Sequence, residues 1–162
     1  MRIAISPYSR KLHNGKKNFK NYPYWEQVIR LAQEEGHELV QVGNVGEEVL
    51  AGIMEVYFGK SMRELTEITL SVDIFLSVDT FYNHMCHYLH KPGICIFSLS
   101  DPEIAGYPEN INLLKDKKYL RPNQFDHWEN TTYNEEAFVS PEVVMNAITE
   151  MEVRLYGNKT RS

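Results

Sequence analysis

Cysteine is scarce in this 162-residue chain: Cys86 and Cys95 are the only two. They fall inside segments that read as helix and strand, without the paired spacing of a zinc ribbon or a disulfide framework. At this length a core can be buried without such staples, and a single domain over residues 1–162 is expected. Long apolar runs are missing too. No stretch approaches the ~20 residues that span a bilayer, and the apolar run in the opening MRIAISPYSRK is too short for a signal peptide. A soluble protein of the reducing cytoplasm is expected. A basic excess is the third absence, because 17 Lys and Arg stand against 22 Asp and Glu, a net charge of −5. Five of those cations, Arg10, Lys11, Lys16, Lys17 and Lys20, occupy one acid-free stretch, so the rest of the chain carries 12 basic and 22 acidic side chains, net −10. Such a chain repels polyanions as a whole, which excludes nucleic acid as the expected partner, and concentrates positive charge where a small anion can meet it.

Apolar, β-branched runs alternate with amphipathic segments from the first residues. RIAIS (Arg2 to Ser6) reads as a buried strand, and Pro23 opens a helix whose Trp25, Val28, Ile29 and Ala32 recur at helical spacing up to Gly36. Strands follow at Glu38 to Val42, Asp73 to Val78 and Gly93 to Leu99, with a weaker one at Ile111 to Leu114. Glu47 to Val56 reads as a short helix, and Ser61 with Glu64 has the capping-box spacing that opens another, to about Leu70. Thr80 to His90 reads as helix, Asp101-Pro102 caps a short one, and Ser140-Pro141 starts a last helix reaching about Tyr156. Alternation of this kind predicts an α/β, Rossmann-like three-layer domain with a mainly parallel sheet. Ligands of such sheets bind beyond the carboxyl ends of the strands, so the loops after Ser6, Val42, Val78 and Leu99 are expected to share one rim. Residues 115–134 form an irregular insert, polar with scattered aromatics at Tyr119, Phe125, Trp128 and Tyr133. That segment either seals the rim or serves as an interface.

Chemistry concentrates at strand-to-helix junctions. Asp79 and Thr80 fall where a strand gives way to a helix; the pair either only caps the first turn or also leaves backbone N–H groups and the helix dipole for an anion. His84 lies one turn further on. His84, His87 and His90 are spaced i, i+3, i+6, which rotates them around a helix, so no metal site is expected, and Cys86 on an apolar helix face is expected to be inert. The basic loop SPYSRKLHNGKKNFKNYP is either a solvated charge run or places Ser6 or Ser9 and Lys16, Lys17 or Lys20 opposite a phosphate. Gly43 to Gly46 form a glycine-bearing turn followed by Glu47 and Glu48, where a carboxylate can accept from ribose hydroxyls. Asn130 and Asn158 begin glycosylation sequons that have no meaning without a secretory route.

Taken in order, these pieces resemble the C-terminal half of the heptosyltransferase family, family 9 glycosyltransferases of GT-B fold. The resemblance runs from about Met1 to Tyr107 on Pro7-Tyr8-Ser9, Lys20-Asn21-Tyr22-Pro23, the Gly43–Glu47 turn, Ser61 to Leu65, Asp79-Thr80 with His84, and Asp101-Pro102. In that family this half binds the nucleotide of the sugar donor. The resemblance therefore implies an ADP- or other NDP-sugar as partner and no separate cofactor. It implies that Ser9 and Lys20 face the pyrophosphate, that the Asp79-Thr80 helix start, with His84 behind it, receives it, and that Glu47 lies near the ribose. Phe81 replaces the family's glycine and is expected to crowd a phosphate at that point. The family's other half, with its acceptor site and catalytic carboxylate, has no counterpart here, which implies completion by a second chain or by self-association, such as a dimer. The alternatives are a module that binds nucleotide sugar without turnover and a scaffold with a degenerate site.

Overall fold

The computed structural model describes residues 1–157; the sequon at Asn158 lies outside the described residues. Strands β1 (Arg2–Ser6), β2 (Glu38–Gly43), β3 (Glu55–Phe58), β4 (Ile74–Val78), β5 (Gly93–Ile96) and β6 (Ile111–Leu113) pair in the order β3-β2-β1-β4-β5-β6, every pair parallel. Successive side chains enter opposite faces, as the period of a strand requires. Ile3 and Ile5 enter the core under helices α1 (Trp25–Glu34) and α5 (Pro141–Tyr156), against Trp25, Val28, Val144 and Ile148. Ala4 enters the opposite core with Val40, Phe75, Tyr82 and Met85, beneath helices α2 (Met62–Ser71) and α3 (Phe81–Tyr88). The expected α/β three-layer domain is what forms.

The chain steps outward from β1 through β2 to β3, then returns to β4 on the other side of β1. The loops leaving β1 and β4 diverge at that reversal and open a crevice at the carboxyl edge of the sheet. Helix α2 starts with the anticipated capping box: the Ser61 backbone N–H donates to Glu64 Oε2 at 2.9 Å, and the Glu64 N–H donates to Ser61 Oγ at 3.3 Å.

One expectation changes. Residues 47–56 do not form a helix; the stretch is a loop that ends in edge strand β3, which pairs Val40–Gly43 with Glu55–Phe58. Gly46 and Gly52, at φ 86° and 89°, turn the chain through left-handed conformations that break helical propagation. Buried Gln41 supplies the loop's hydrogen bonds instead. Its Nε2 donates to the Glu48 carbonyl at 2.9 Å, and its Oε1 accepts from the Leu50 N–H at 2.8 Å.

Residues 115–134 are irregular apart from two short 3-10 turns at Lys117–Tyr119 and Trp128–Asn130, with a third just beyond them at Glu135–Ala137. Tyr119 and Trp128 pack on Phe19, Leu99 and Ala137, and the Arg121 guanidinium donates to the carbonyls of Asp126 and Gln124 at 3.1 and 2.5 Å. The Tyr133 hydroxyl donates to the Asn21 carbonyl. Of the four aromatics in this segment, Phe125 alone is largely exposed, at 84%, so most of the apolar surface that suggested interface anchors is engaged by the chain itself.

Candidate functional site

The crevice between the β1 and β4 loops is a cleft of about 570 Å³. The six residues singled out from the sequence, Ser9, Lys20, Glu47, Asp79, Thr80 and His84, all line it. Ser6 lines it too, at the end of β1, whereas Lys16 and Lys17 do not; they face a neighbouring groove.

Each member is placed by short-range chemistry. Thr80 adopts an extended conformation and its side chain accepts from the Tyr82 N–H at 3.1 Å, so Thr80 is the cap of α3. Asp79 is thereby left out of the cap. Its carboxylate meets Lys20 Nζ at 2.7 Å, with only 7% of the Asp79 side chain and 8% of the Lys20 side chain exposed. Lys20 is held in turn from its backbone, since its N–H donates to Asn18 Oδ1 at 3.0 Å while Asn18 Nδ2 donates to the Arg10 carbonyl at 2.9 Å. The Ser9 N–H donates to Asn21 Oδ1 at 2.8 Å. Asn18 and Asn21 therefore shape the basic loop, a role that the asparagine preference for such local turns makes legible.

Trp128, named from the sequence only as one of the aromatics of residues 115–134, lines the cleft. Lys20 Nζ lies 3.8 Å from its ring centroid and the Arg10 guanidinium carbon 4.6 Å, so the indole is flanked by two cations. Arg10 also meets Glu129 at 3.5 Å, which ties the basic loop to the turn that carries Trp128. On the opposite wall Glu47 accepts from Asn44 Nδ2 at 2.8 Å. Gly43 makes room for it, because a Cβ there would sit 2.1 Å from Glu47 Oε2.

Phe81, at the first position of α3, is 59% exposed and lines the cleft mouth. His84 Nδ1 lies 2.7 Å from the Tyr107 hydroxyl; His87 pairs with Glu109 and stacks on Tyr107 with centroids 3.8 Å apart; His90 takes a left-handed backbone, φ 52°. Among the described residues no group of three metal-binding side chains is gathered. Burial pushes the Cys86 thiol up to about 12 and the Cys95 thiol well above its ordinary value, so neither is a thiolate near neutral pH.

The electrostatic arrangement is specific. Lys20 and Asp79 cancel in net charge, yet an ammonium has three donors and Asp79 engages one side of it. The start of α3, from Thr80 to Tyr82, lines the same cleft, where the positive end of its dipole lies. The cleft can thus offer an entering anion directed hydrogen-bond donors, with little uncompensated charge to desolvate.

No protein-family model matches the chain, and no curated protein matches its sequence. Solved structures do match its fold. A glycosyl transferase of family 9 from Veillonella parvula superposes with a TM-score of 0.72 at 15% identity, over 94% of this chain and 46% of that one. The dodecameric iron-containing heptosyltransferase TibC, in complex with ADP-D-beta-D-heptose, gives 0.70 at 16% identity over 94% of this chain and 45% of that one. The E. coli heptosyltransferase WaaC with ADP gives 0.62 at 19% identity over 91% and 43%. The chain spans less than half the length of these enzymes. No helix among the described residues is long and apolar enough to cross a membrane. In its strand order, its parallel sheet and its extent, this chain has the fold of one half of a heptosyltransferase-type, GT-B glycosyltransferase.

Proposed function

We propose that the cleft binds the nucleoside diphosphate of a sugar donor and that the chain works in glycosyl transfer. The observation that carries this reading is the buried Lys20–Asp79 pair set against the α3 start in a 570 Å³ cleft. It is supported by the fold shared with enzymes solved with ADP and with ADP-D-beta-D-heptose. In this reading the diphosphate accepts from Lys20, from Ser9 and from the first-turn N–H groups of α3 with Thr80, and His84 stands behind it. Glu47 accepts from ribose hydroxyls. Asp79 touches no ligand oxygen; it holds the ammonium in place. Transfer needs a base aligned on the acceptor, which a second domain, from another chain or a second copy, supplies across the cleft. The cytoplasm is the proposed setting, in keeping with two buried free thiols.

A second reading, a module that captures nucleotide or nucleotide sugar without turnover, is favoured by Phe81, whose bulk stands at the cleft mouth where a diphosphate approaches the helix backbone. Turnover of a nucleotide sugar, with and without added partner domain, separates the two.

Calorimetric titration with ADP tests the binding itself. The Lys20→Gln/Asp79→Asn variant, which leaves a neutral hydrogen-bonded pair, is expected to weaken ADP by about 10- to 100-fold, the worth of a charge-assisted hydrogen bond. Lys16→Gln/Lys17→Gln is expected to change it by no more than about twofold, as for peripheral charges. Equal losses from the two variants would overturn the placement of the diphosphate, and no binding to the unaltered protein would overturn the reading altogether.

A further inference from the structure

Beside the cleft lies a second groove of about 520 Å³, which the nucleotide reading leaves unused. Arg10, Lys11, Lys16 and Lys17 line it from the basic loop, and Glu47 and Glu48 line it from the turn after β2. It is continuous with the first cleft through Tyr8, Ser9, Arg10, Asn44 and Glu47, which line both. Among the described residues Lys11, Lys16 and Lys17 are in no ion pair, although the chain outside residues 10–20 carries an excess of ten acidic side chains. Lys17 instead stands 4.1 Å over the Tyr133 ring. Three ammonium groups outside any ion pair that line one groove of an acidic protein favour an occupant that is itself anionic.

The opposite wall narrows the class of that occupant. Glu47 and Glu48 repel a bare anion but accept from hydroxyls, and the amides of Asn18, Asn21 and Asn44 in the same groove both donate and accept. Cations on one side, carboxylates on the other and amides between suit a molecule with a charged end and a polyol body. We propose that the groove is a second subsite, for a phosphorylated sugar, lying alongside the nucleotide and reached by the same cleft. This proposal rests on the proposed function, in which Glu47, lining both cavities, stands where the sugar phosphate meets the nucleotide's ribose.

The test uses the whole chain and glucose 6-phosphate as the probe, with glucose, inorganic phosphate and sulfate as controls, read by backbone amide NMR shifts. Glucose 6-phosphate is expected to shift residues 10–17 and 44–48 at least about fivefold more tightly than inorganic phosphate, and glucose alone to leave them unmoved. Lys16→Gln/Lys17→Gln is expected to weaken that binding about tenfold or more, in line with loss of two charge-assisted contacts. Folding of the variant is verified from its unchanged amide spectrum elsewhere. Phosphate or sulfate binding as well as the sugar phosphate means a charged surface only and overturns the subsite, as does an unaffected double variant or no response to any probe. The nucleotide reading fails separately: if ADP does not bind while glucose 6-phosphate does, the subsite stands and the donor assignment falls.

Discussion

Replacing Lys20 with alanine is expected to lower the stability of the fold by about 3–5 kcal/mol, the cost of leaving one charge of a buried pair uncompensated. The pair is buried on both sides, with 8% and 7% of the side chains exposed, so solvent cannot take over the role of the lost partner. The indole of Trp128, 3.8 Å from the ammonium, loses its cation at the same time. Removing both charges reverses the sign of the argument, because no orphaned carboxylate remains: Lys20→Met/Asp79→Asn is expected within about 1 kcal/mol of the parent, as for other buried pairs exchanged for neutral groups. Urea denaturation of the parent, the Lys20→Ala variant and the double variant gives the answer. A single variant as stable as the parent would mean that Asp79 finds another donor, and the ammonium would then be held for its ligand by Asn18 and the backbone alone. Near-native stability with both charges removed, together with the ADP loss expected of Lys20→Gln/Asp79→Asn, would assign the pair to function, because a buried ion pair adds little stability over a neutral one.

That pairing also marks where reading the sequence stops. Alternating apolar runs and helical periods announced the α/β class, because the inner strands β1, β2, β4 and β5 are largely buried on both faces and α1 and α5 on one. The Ser61–Glu64 box and the Thr80 cap are local, so they were legible too. Residues 47–56 misled because Leu50 and Ile53 fall at helical spacing; what decided their conformation was Gln41, fully buried one strand earlier, together with two glycines at positive φ. The short edge strand β3 carries only half-buried residues, and its aromatic Tyr57 and Phe58 are its main sequence signal. The six candidate site residues were chosen by the resemblance to the family's motifs, which fall on the loops and the helix start that a parallel sheet brings to one rim. That Lys20 and Asp79 engage each other, rather than each facing a ligand independently, depends on the register of β1 against β4. Trp128 lies outside local reasoning altogether: its position over Lys20 comes from Arg121 and Gln124 folding the 115–134 segment back onto the Leu99 carbonyl.

The sheet core reaches the site through Gly93, and alanine there is expected to cost about 3 kcal/mol, the upper part of the range for overpacking. Gly93 pairs directly with Phe75 across β5 and β4, and the fully buried Phe75 ring lies over it: an added Cβ would stand 2.2, 2.4 and 2.5 Å from three ring carbons. Glycine is required here by this close approach, since its backbone is not among those at positive φ. The ring cannot simply retreat. Its edge-to-face partner is Tyr82, 6.2 Å away between centroids, and the Tyr82 hydroxyl is 2.9 Å from Thr69 Oγ1 on α2. Tyr82 is also the residue whose N–H the Thr80 cap accepts, so a displaced Phe75 pushes on the start of α3 and on the cleft wall together. Gly93→Ala is therefore expected to lower the melting temperature by about 6–12 °C for a domain of this size and to weaken ADP several-fold, although residue 93 lines no part of the cleft. Phe75→Leu on its own is expected to cost about 1–2 kcal/mol through the space it opens. Combined with Gly93→Ala it fills that space, so the double variant is expected to be more stable than Gly93→Ala alone and to recover ADP affinity. Additive losses in the double variant would sink the argument, because they would show that the ring and the missing Cβ do not compete for one volume and that the core does not set the position of the α3 start.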